Sequence, residues 1–202
     1  MLEIPNIYEL EKSLIASGDG ADLHDFAEVK RRLVSPPILS AEDFAREVFY
    51  VILASGFSQK TAKRVWGDIC KALDNGDDGL LHIFNNVNKT NAIAKVWENR
   101  KAYRDGFYAC EGEGAKLAYL ATLPHIGPIT VSHLARNLGI SVVKYDVWIQ
   151  RLAAGSSSFP IKPEVKAAAD AMFDRLEKET GLPRGYIDVV LWKACQIGLI
   201  KP

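Results

Sequence analysis

The sequence predicts an all-α protein. Apolar residues recur every three or four positions through most of the chain, which is the spacing of one face of a helix. Short connections that contain glycine, proline or serine separate these stretches. The β-branched run at residues 140–143 is too isolated to argue for a sheet. With 202 residues, of which 48% are hydrophobic, the chain is long enough to bury a sizeable core.

The individual helices follow from the same periodicity and from capping residues. A helix is predicted over residues 40–54, where Ser40 is a suitable N-cap. Gly56 ends this helix and Ser58 begins the next one. Another helix is expected to start at Val147. The remaining helices are predicted over residues 78–85, 89–108, 112–122, 128–138, 163–179 and 184–197.

Charge and cysteine content limit the class of protein. Lys plus Arg and Asp plus Glu both total 25, so no global charge points to nucleic acid or membrane. Residues 1–48 nevertheless carry ten acidic and five basic residues, which leaves 15 acidic and 20 basic residues in the remainder. A basic face would suit a polyanion, although scattered surface charge is the commoner meaning.

The three cysteines are odd in number, lie far apart and have no metal-binding spacing. We therefore expect reduced thiols in a cytoplasmic protein. No signal peptide is recognised, and no apolar run approaches the roughly 18 residues of a membrane span. No membrane association is expected.

The stretch LPHIGPIT, which begins at residue 123, predicts a tight corner between two helices. Pro124 helps to end the first helix, and Pro128 suits the first position of the second. Gly127 is expected to take an unusual backbone angle. The N–H groups of Ile129 and Thr130 should point out of the helix N-terminus, where they attract an anion such as phosphate.

The polar residues of this region raise two interpretations. On the second helix, Ile129, His133 and Arg136 are expected on a face away from the core stripe. Asp146 is the only acidic residue between positions 123 and 152, and Lys144 lies two residues before it. From spacing alone, an ordinary helix-turn-helix corner and a helix cap at Asp146 explain the pattern as well as a phosphate-binding site does.

The motif resembles the helix-hairpin-helix and aspartate of the HhH-GPD superfamily of DNA glycosylases. The matching residues are Leu123, Pro124, Ile126, Gly127, Thr130, Asp146, Ile149 and Arg151. The resemblance implies two helical lobes with an active-site cleft between them. One lobe would combine residues 1–39 with 142–202. The other would be residues 40–141, ending in the hairpin at about 112–138.

Three departures from the family pattern refine this expectation. His125 stands where the first hairpin glycine usually lies, which is expected to alter the local approach to phosphate. Ile129 occupies the position of the Schiff-base lysine of bifunctional members, which indicates a monofunctional enzyme. Lys144 is an alternative nucleophile, but a phosphate or solvent role is preferred. The four-cysteine loop is absent, so neither an iron–sulfur cluster nor another required cofactor is expected.

The resemblance also implies a monovalent cation bound by backbone carbonyls of the hairpin. The residues that would supply these carbonyls are Ala121, Leu123 and Ile126.

The function implied is that of a monofunctional DNA glycosylase, acting as a monomer on double-stranded DNA. It would hydrolyse the N-glycosidic bond of a flipped, damaged or modified base, either in base-excision repair or in defence against phage DNA. Asp146 would stabilise the oxocarbenium-like transition state. The alternative is a helix-hairpin-helix DNA-binding module without catalysis, but such a module would not need an anion near the phosphates.

The remaining site residues also come from the resemblance. Phe49 and Tyr50 are candidates for stacking on the base, Ser55 or Phe57 for filling the gap it leaves, and Trp148 and Trp192 for a pocket wall. For each of these, a plain core or turn residue is the commoner meaning of the pattern. The residues expected to bind phosphates at and after the hairpin are His125, Gly127, Ile129, Thr130, His133, Arg136 and Lys144. Lys60, Lys63 and Arg64 either extend this phosphate-binding surface or form a solvated helix face.

Overall fold

The computed structural model describes residues 4–18, 20–77 and 79–202, and within these ranges it confirms the all-α class, with no β-strand. None of the helices in these ranges combines the length and apolar character that crossing a membrane requires. The eleven α-helices are α1 (Ile7–Ala16), α2 (Phe26–Val34), α3 (Ala41–Ala54), α4 (Gln59–Asp74), α5 (Val87–Glu98), α6 (Arg100–Ala109), α7 (Gly112–Leu120), α8 (Thr130–Asn137), α9 (Val147–Ala154), α10 (Pro163–Thr180) and α11 (Arg184–Gln196).

The chain divides into two units. The N/C unit contains the chain up to Pro36 together with Gly139–Pro202, and the central unit is Pro37–Leu138. Both junctions lie a few residues before the boundaries expected from the sequence. The second junction is set locally by Gly139, which has φ 89°. A Cβ atom there would lie 2.7 Å from the carbonyl oxygen of Arg32, so only glycine fits.

The N/C unit is built around α11. Helices α1, α2, α9 and α10 all pack against it. Because it is surrounded, α11 is buried on most sides, and residues such as Tyr186, Ile187 and Val190 are fully enclosed. This central helix supports the segment that leads into Asp146.

The central unit is built in the same way around α3, which contacts α4, α5, α6 and α8. Every residue from Glu47 to Leu53 is buried, so this helix has no solvent-facing stripe in its second half. The predicted caps are in place, since the side chains of Ser40 and Ser58 accept the N–H groups of Asp43 and Thr61.

Two predicted helices differ in the structure. The helix expected at residues 78–85 is only a 3₁₀ turn at Leu80–His82, and residue 78 lies outside the described residues. The helix expected at residues 89–108 is two helices, α5 and α6, which meet at Asn99. The Asn99 side chain donates to the Lys95 carbonyl at 2.9 Å, and this competes with continuation of the helix.

Candidate active site and hairpin

Helices α7 and α8 pack together and form the predicted hairpin. Leu123 and Ile126 are buried in the turn between them, and the Ile126 N–H donates to the Leu123 carbonyl at 3.2 Å. The exposed His125 between them has φ 63°, in the left-handed region. Histidine thus adopts the backbone conformation that glycine takes most easily. Partial burial, assisted by the positive charge of Lys89, lowers the pKa of His125.

Gly127 does not take the unusual backbone angle that was predicted for it; His125 does. The Gly127 carbonyl accepts the Val131 N–H at 2.9 Å, so Pro128 lies in the first turn ahead of α8. The Gly127 N–H donates to the Thr130 hydroxyl oxygen at 2.7 Å. A Cβ atom on Gly127 would meet nothing closer than that oxygen, at 3.8 Å, so the described residues leave room for a methyl group here.

The prediction that His133 and Arg136 of α8 face DNA is not met, because both side chains are buried. His133 and Arg136 are only 4% and 3% exposed, because α8 packs on α3 as well as on α7. His133 makes an edge-to-face contact with Tyr50, with ring centroids 5.9 Å apart. Asn137, next to Arg136, donates to the Glu47 carboxylate at 3.2 Å. His133, Arg136 and Asn137 therefore belong to the core of the central unit.

The predicted stacking residues Phe49 and Tyr50 are also core residues. Both are 0% exposed, and Phe49 packs against Trp97 with ring centroids 6.0 Å apart. An aromatic ring without accessible surface cannot stack on a base. The alternative that they are plain core residues describes them correctly.

The turn after α3 carries accessible aromatic surface. Ser55 is exposed, and Phe57 is 42% exposed and packs edge-to-face on Phe84 with centroids 5.4 Å apart. The Lys89 ammonium lies 4.7 Å from the Phe57 ring centroid, and it donates to the Ser55 and Leu53 carbonyls at the end of α3. Burial lowers the pKa of Lys89. Phe84 and Lys89 did not stand out in the sequence, because only the fold brings them to this turn.

Asp146 is both a helix cap and a partner of a cation. Its Oδ1 accepts the N–H groups of Trp148 at 3.0 Å and Ile149 at 3.3 Å, at the start of α9. Its Oδ2 lies 3.7 Å from the Lys144 ammonium. The side chains of Asp146 and Lys144 are 13% and 18% exposed, so this pair is largely shielded. The two oxygens of one carboxylate thus have separate partners.

Tryptophan rings and cationic side chains lie along the segment that carries Asp146. The Lys144 ammonium lies 5.6 Å from the centre of the Trp192 ring. Trp148 is half-buried against the core, with the Arg151 guanidinium 5.9 Å from its ring centroid. Burial, with a smaller contribution from the Asp146 charge, raises the pKa of the Cys195 thiol to about 12. Cys195 was not recognised as a neighbour of this site from its position in the sequence.

The three hairpin carbonyls suit a hard monovalent cation by their chemistry. Leu123 already accepts one N–H, but a carbonyl oxygen has two lone pairs and can accept a cation as well. The backbone carbonyls of Ala121 and Ile126 belong to the same turn as that of Leu123. The assignment of a cation to these carbonyls stays a prediction.

The basic residues of α4 lie at the surface of the central unit. Lys60 and Arg64 are exposed and Lys63 is half-buried. Arg64 is 3.6 Å from Asp68, an exposed pair that contributes little to stability. These side chains are accessible to a polyanion.

Comparison with known proteins gives structural matches only. No protein-family model matches the chain, and no curated protein sequence matches it. A Methanocaldococcus jannaschii 8-oxoguanine glycosylase/lyase, solved with DNA containing 8-oxoguanine, is similar with a TM-score of 0.69 and 17% identity, over 97% of this chain and 98% of that one. Another structure of 8-oxoguanine DNA glycosylase from that organism has a TM-score of 0.67 and 19% identity, over 95% and 92%.

The 8-oxoguanine DNA glycosylase of Thermotoga maritima has a TM-score of 0.62 and 17% identity, over 92% and 93% of the two chains. All three structural matches cover nearly the whole of both chains compared. The structure contains the predicted hairpin, with its left-handed residue at His125 instead of Gly127, and the aspartate that caps α9. The chain therefore has the fold of the helix-hairpin-helix DNA glycosylases.

Proposed function

We propose that this protein is a DNA N-glycosylase, which hydrolyses the bond between deoxyribose and a damaged or modified base flipped out of duplex DNA. The observation that carries the proposal is the Asp146 carboxylate. It is shielded from solvent and fixed by two backbone N–H groups, and it stands at the motif position of a glycosylase fold. The product is a free base and an abasic site.

The chemistry calls for a fixed anion. As the N-glycosidic bond breaks, positive charge develops on the sugar. A carboxylate held in place before the reaction stabilises that charge without reorganising, and it can orient or deprotonate the attacking water. Asp146 fits this role because its cap bonds use Oδ1 and leave Oδ2 on a different side of the group.

The proposal includes hydrolysis without strand cleavage. Ile129, in the turn before α8, replaces the lysine that attacks the sugar in bifunctional members, and a hydrocarbon side chain cannot form a Schiff base. Lys144 is assigned to charge pairing with Asp146 and to a DNA phosphate. The Methanocaldococcus jannaschii neighbour is named a glycosylase/lyase, so this chain would differ from it in the second activity.

The hairpin is proposed to bind the DNA backbone. His125 is exposed there and Ile129 and Thr130 are half-buried, and a Cβ atom on Gly127 would have no contact closer than 3.8 Å. Backbone N–H groups at a helix start suit a phosphate. A monovalent cation on the carbonyls of Ala121, Leu123 and Ile126 would add positive charge to the same turn.

The exposed Phe57, supported by Phe84, is the candidate for filling the gap left by the flipped base. An apolar side chain on a rigid aromatic partner can replace base stacking without reading sequence.

The protein is proposed to act as a monomer on duplex DNA.

The base itself is best sought first among oxidised purines, because all three solved neighbours are named for 8-oxoguanine. The test is a panel of duplexes, each with one damaged or modified base, scored for released base and for abasic sites. Including hypermodified bases tests the role in defence against phage DNA. Release of a base by the native chain, and its loss in Asp146→Asn, is the expected result. Tight duplex binding with no release from any member would instead support the non-catalytic DNA-binding module.

A further inference from the structure

The segment that leads into Asp146 has no regular secondary structure, yet neighbouring helices of the N/C unit hold it closely. Residues 140–146 link α8 to α9 without forming helix or strand. The Gly185 N–H at the start of α11 donates to the Ser141 hydroxyl oxygen at 3.2 Å. One turn further along α11, the Asp188 carboxylate accepts the backbone N–H of Lys144 at 3.2 Å. Both bonds fix the early part of the segment on the central helix.

Tyr145, immediately before Asp146, is held at both its side chain and its main chain. Its hydroxyl donates to the Asp170 carboxylate on α10. The other oxygen of Asp170 accepts the Lys166 ammonium at 2.7 Å, and that ammonium lies 4.9 Å from the centre of the Tyr145 ring. The Tyr145 carbonyl accepts the side-chain amide of Gln150 on α9 at 2.9 Å.

Gln150 is itself fixed. It is only 3% exposed, and its side-chain oxygen accepts the Ser158 N–H at 2.9 Å. The carbonyl of Tyr145 therefore bonds to a side chain that has little freedom to move. A residue fixed at its ring, its hydroxyl and its carbonyl leaves the next peptide few conformations.

We propose that Tyr145 is a positioning residue for Asp146, acting through the hydroxyl anchor on Asp170 and the carbonyl anchor on Gln150. The inference rests on the proposed function for its catalytic consequence, but not for its structural part. The anchors fix the peptide that carries the Asp146 N–H, which donates to the Lys144 carbonyl at 2.7 Å. They thereby set the direction in which the carboxylate leaves the chain.

A role in core packing alone does not account for this arrangement. Tyr145 packs on the core only partly, and phenylalanine would supply the same ring contacts. The hydroxyl adds a bond to a carboxylate that Lys166 already neutralises, and burial with the Asp170 bond raises the pKa of Tyr145, so the hydroxyl keeps its proton. Removing only this oxygen separates positioning from packing.

The first arm of the test compares Tyr145→Phe with Tyr8→Phe in the free protein. Tyr8 is a matched control, because its hydroxyl donates to the Thr180 carbonyl at the C-terminal end of the same helix, α10. Hydrogen exchange is followed by NMR at the N–H groups of Trp148 and Ile149, which Asp146 caps. Tyr145→Phe should accelerate their exchange about fivefold, as expected for loss of one hydrogen bond. The control should leave it unchanged. Equal exchange in the two variants overturns the proposal.

The second arm measures single-turnover base release at saturating enzyme. Tyr145→Phe and Asp170→Asn should each slow release about tenfold, because a small misplacement of a catalytic group is costly. Neither should slow it further in an Asp146→Asn background, since both act through that carboxylate. Faster exchange with an unchanged release rate also overturns the proposal. A native chain that releases no base refutes the proposed function instead, and the exchange arm still decides whether Tyr145 positions Asp146.

Discussion

Asp146 is a residue whose carboxylate can cap a helix with one oxygen and leave the other for a second role. Capping needs a single acceptor oxygen, and the Trp148 and Ile149 N–H groups both use Oδ1. The second oxygen faces Lys144 and is not needed by α9. The cap and catalytic interpretations of this residue, which the sequence left open, are therefore compatible in geometry.

Asp146→Asn separates the two roles. Asparagine caps helices about as well as aspartate, so the free energy of unfolding should change by less than about 1 kcal/mol. The negative charge is lost, and the rate of base release should fall by on the order of 10² to 10³. Denaturant unfolding and single-turnover kinetics measure the two effects. Release at the native rate would mean that Asp146 is only a cap.

Ile129 determines the predicted product. The native chain should leave an intact abasic strand that breaks only after alkali, and borohydride should trap no protein–DNA adduct. Ile129→Lys restores the amine of bifunctional relatives at this position and should create a trappable adduct on abasic DNA. An adduct formed by the native chain, and abolished in Lys144→Ala, would contradict the prediction and identify Lys144 as the nucleophile.

Several residue assignments could not be made from the sequence. Periodicity places polar side chains outward by default, but α8 is covered by two helices and buries His133 and Arg136. Phe49 and Tyr50 were placed near the base by resemblance, although α3 is the central helix of its unit. The capping serines and Asp146 were predictable, because a cap depends on residues within one turn.

Within the hairpin between α7 and α8, positions 125 and 127 are under different backbone constraints. His125 has the left-handed conformation, which costs about 1 to 2 kcal/mol for residues other than glycine. Gly127 has an ordinary φ and room for a methyl group. The strain therefore lies at His125, and among the described residues no contact demands glycine at position 127.

His125→Gly and Gly127→Ala should consequently behave in opposite ways. His125→Gly should raise the free energy of unfolding by about 0.5 to 1 kcal/mol, since relief of the strain exceeds the added entropy of the unfolded chain. Gly127→Ala should leave stability nearly unchanged but weaken duplex binding, because the methyl group stands where a phosphate would approach. If Gly127→Ala binds DNA normally, this turn does not approach the backbone.

Arg136 is expected to be a determinant of stability in α8. It is 3% exposed, so Arg136→Ala removes a buried polar side chain and should lower the free energy of unfolding by about 2 kcal/mol or more. Arg64→Ala is the control in the same unit, since that side chain is 70% exposed. Equal denaturation midpoints for the two variants would show that Arg136 is not part of the core.

The helix limits show which elements are predictable. Helices with a serine cap and a continuous apolar stripe, such as α3 and α4, were located within a residue or so. The break between α5 and α6 depends on one asparagine bond, which a periodicity pattern does not register. Helices α1 and α2 were not assigned individually, although their buried residues have helical spacing, as Ile7, Leu10 and Leu14 show in α1.

For the molecule as a whole, the sequence was enough to predict the fold class, but it predicted the division into two units only in part. Helical periodicity is a local property, whereas the pairing of the N-terminal helices with α11 is a long-range one. The overall charge likewise did not indicate whether the protein binds DNA. A net charge of zero neither requires nor excludes DNA, because binding depends on which cations are accessible.

The salt dependence of duplex binding is the prediction that uses this distinction. Affinity for an undamaged duplex should fall steeply as salt rises, because side chains that neutralise phosphates release counterions. Lys144→Ala and Lys60→Ala should each reduce the slope of log K against log salt by about 1, to a similar extent for every sequence. Lys12→Ala, an exposed lysine of α1 in the acid-rich first 48 residues, should not change it. Fluorescence anisotropy across a salt series measures these slopes. If Lys144→Ala and Lys60→Ala match the Lys12→Ala control, phosphate binding is assigned to the wrong surfaces.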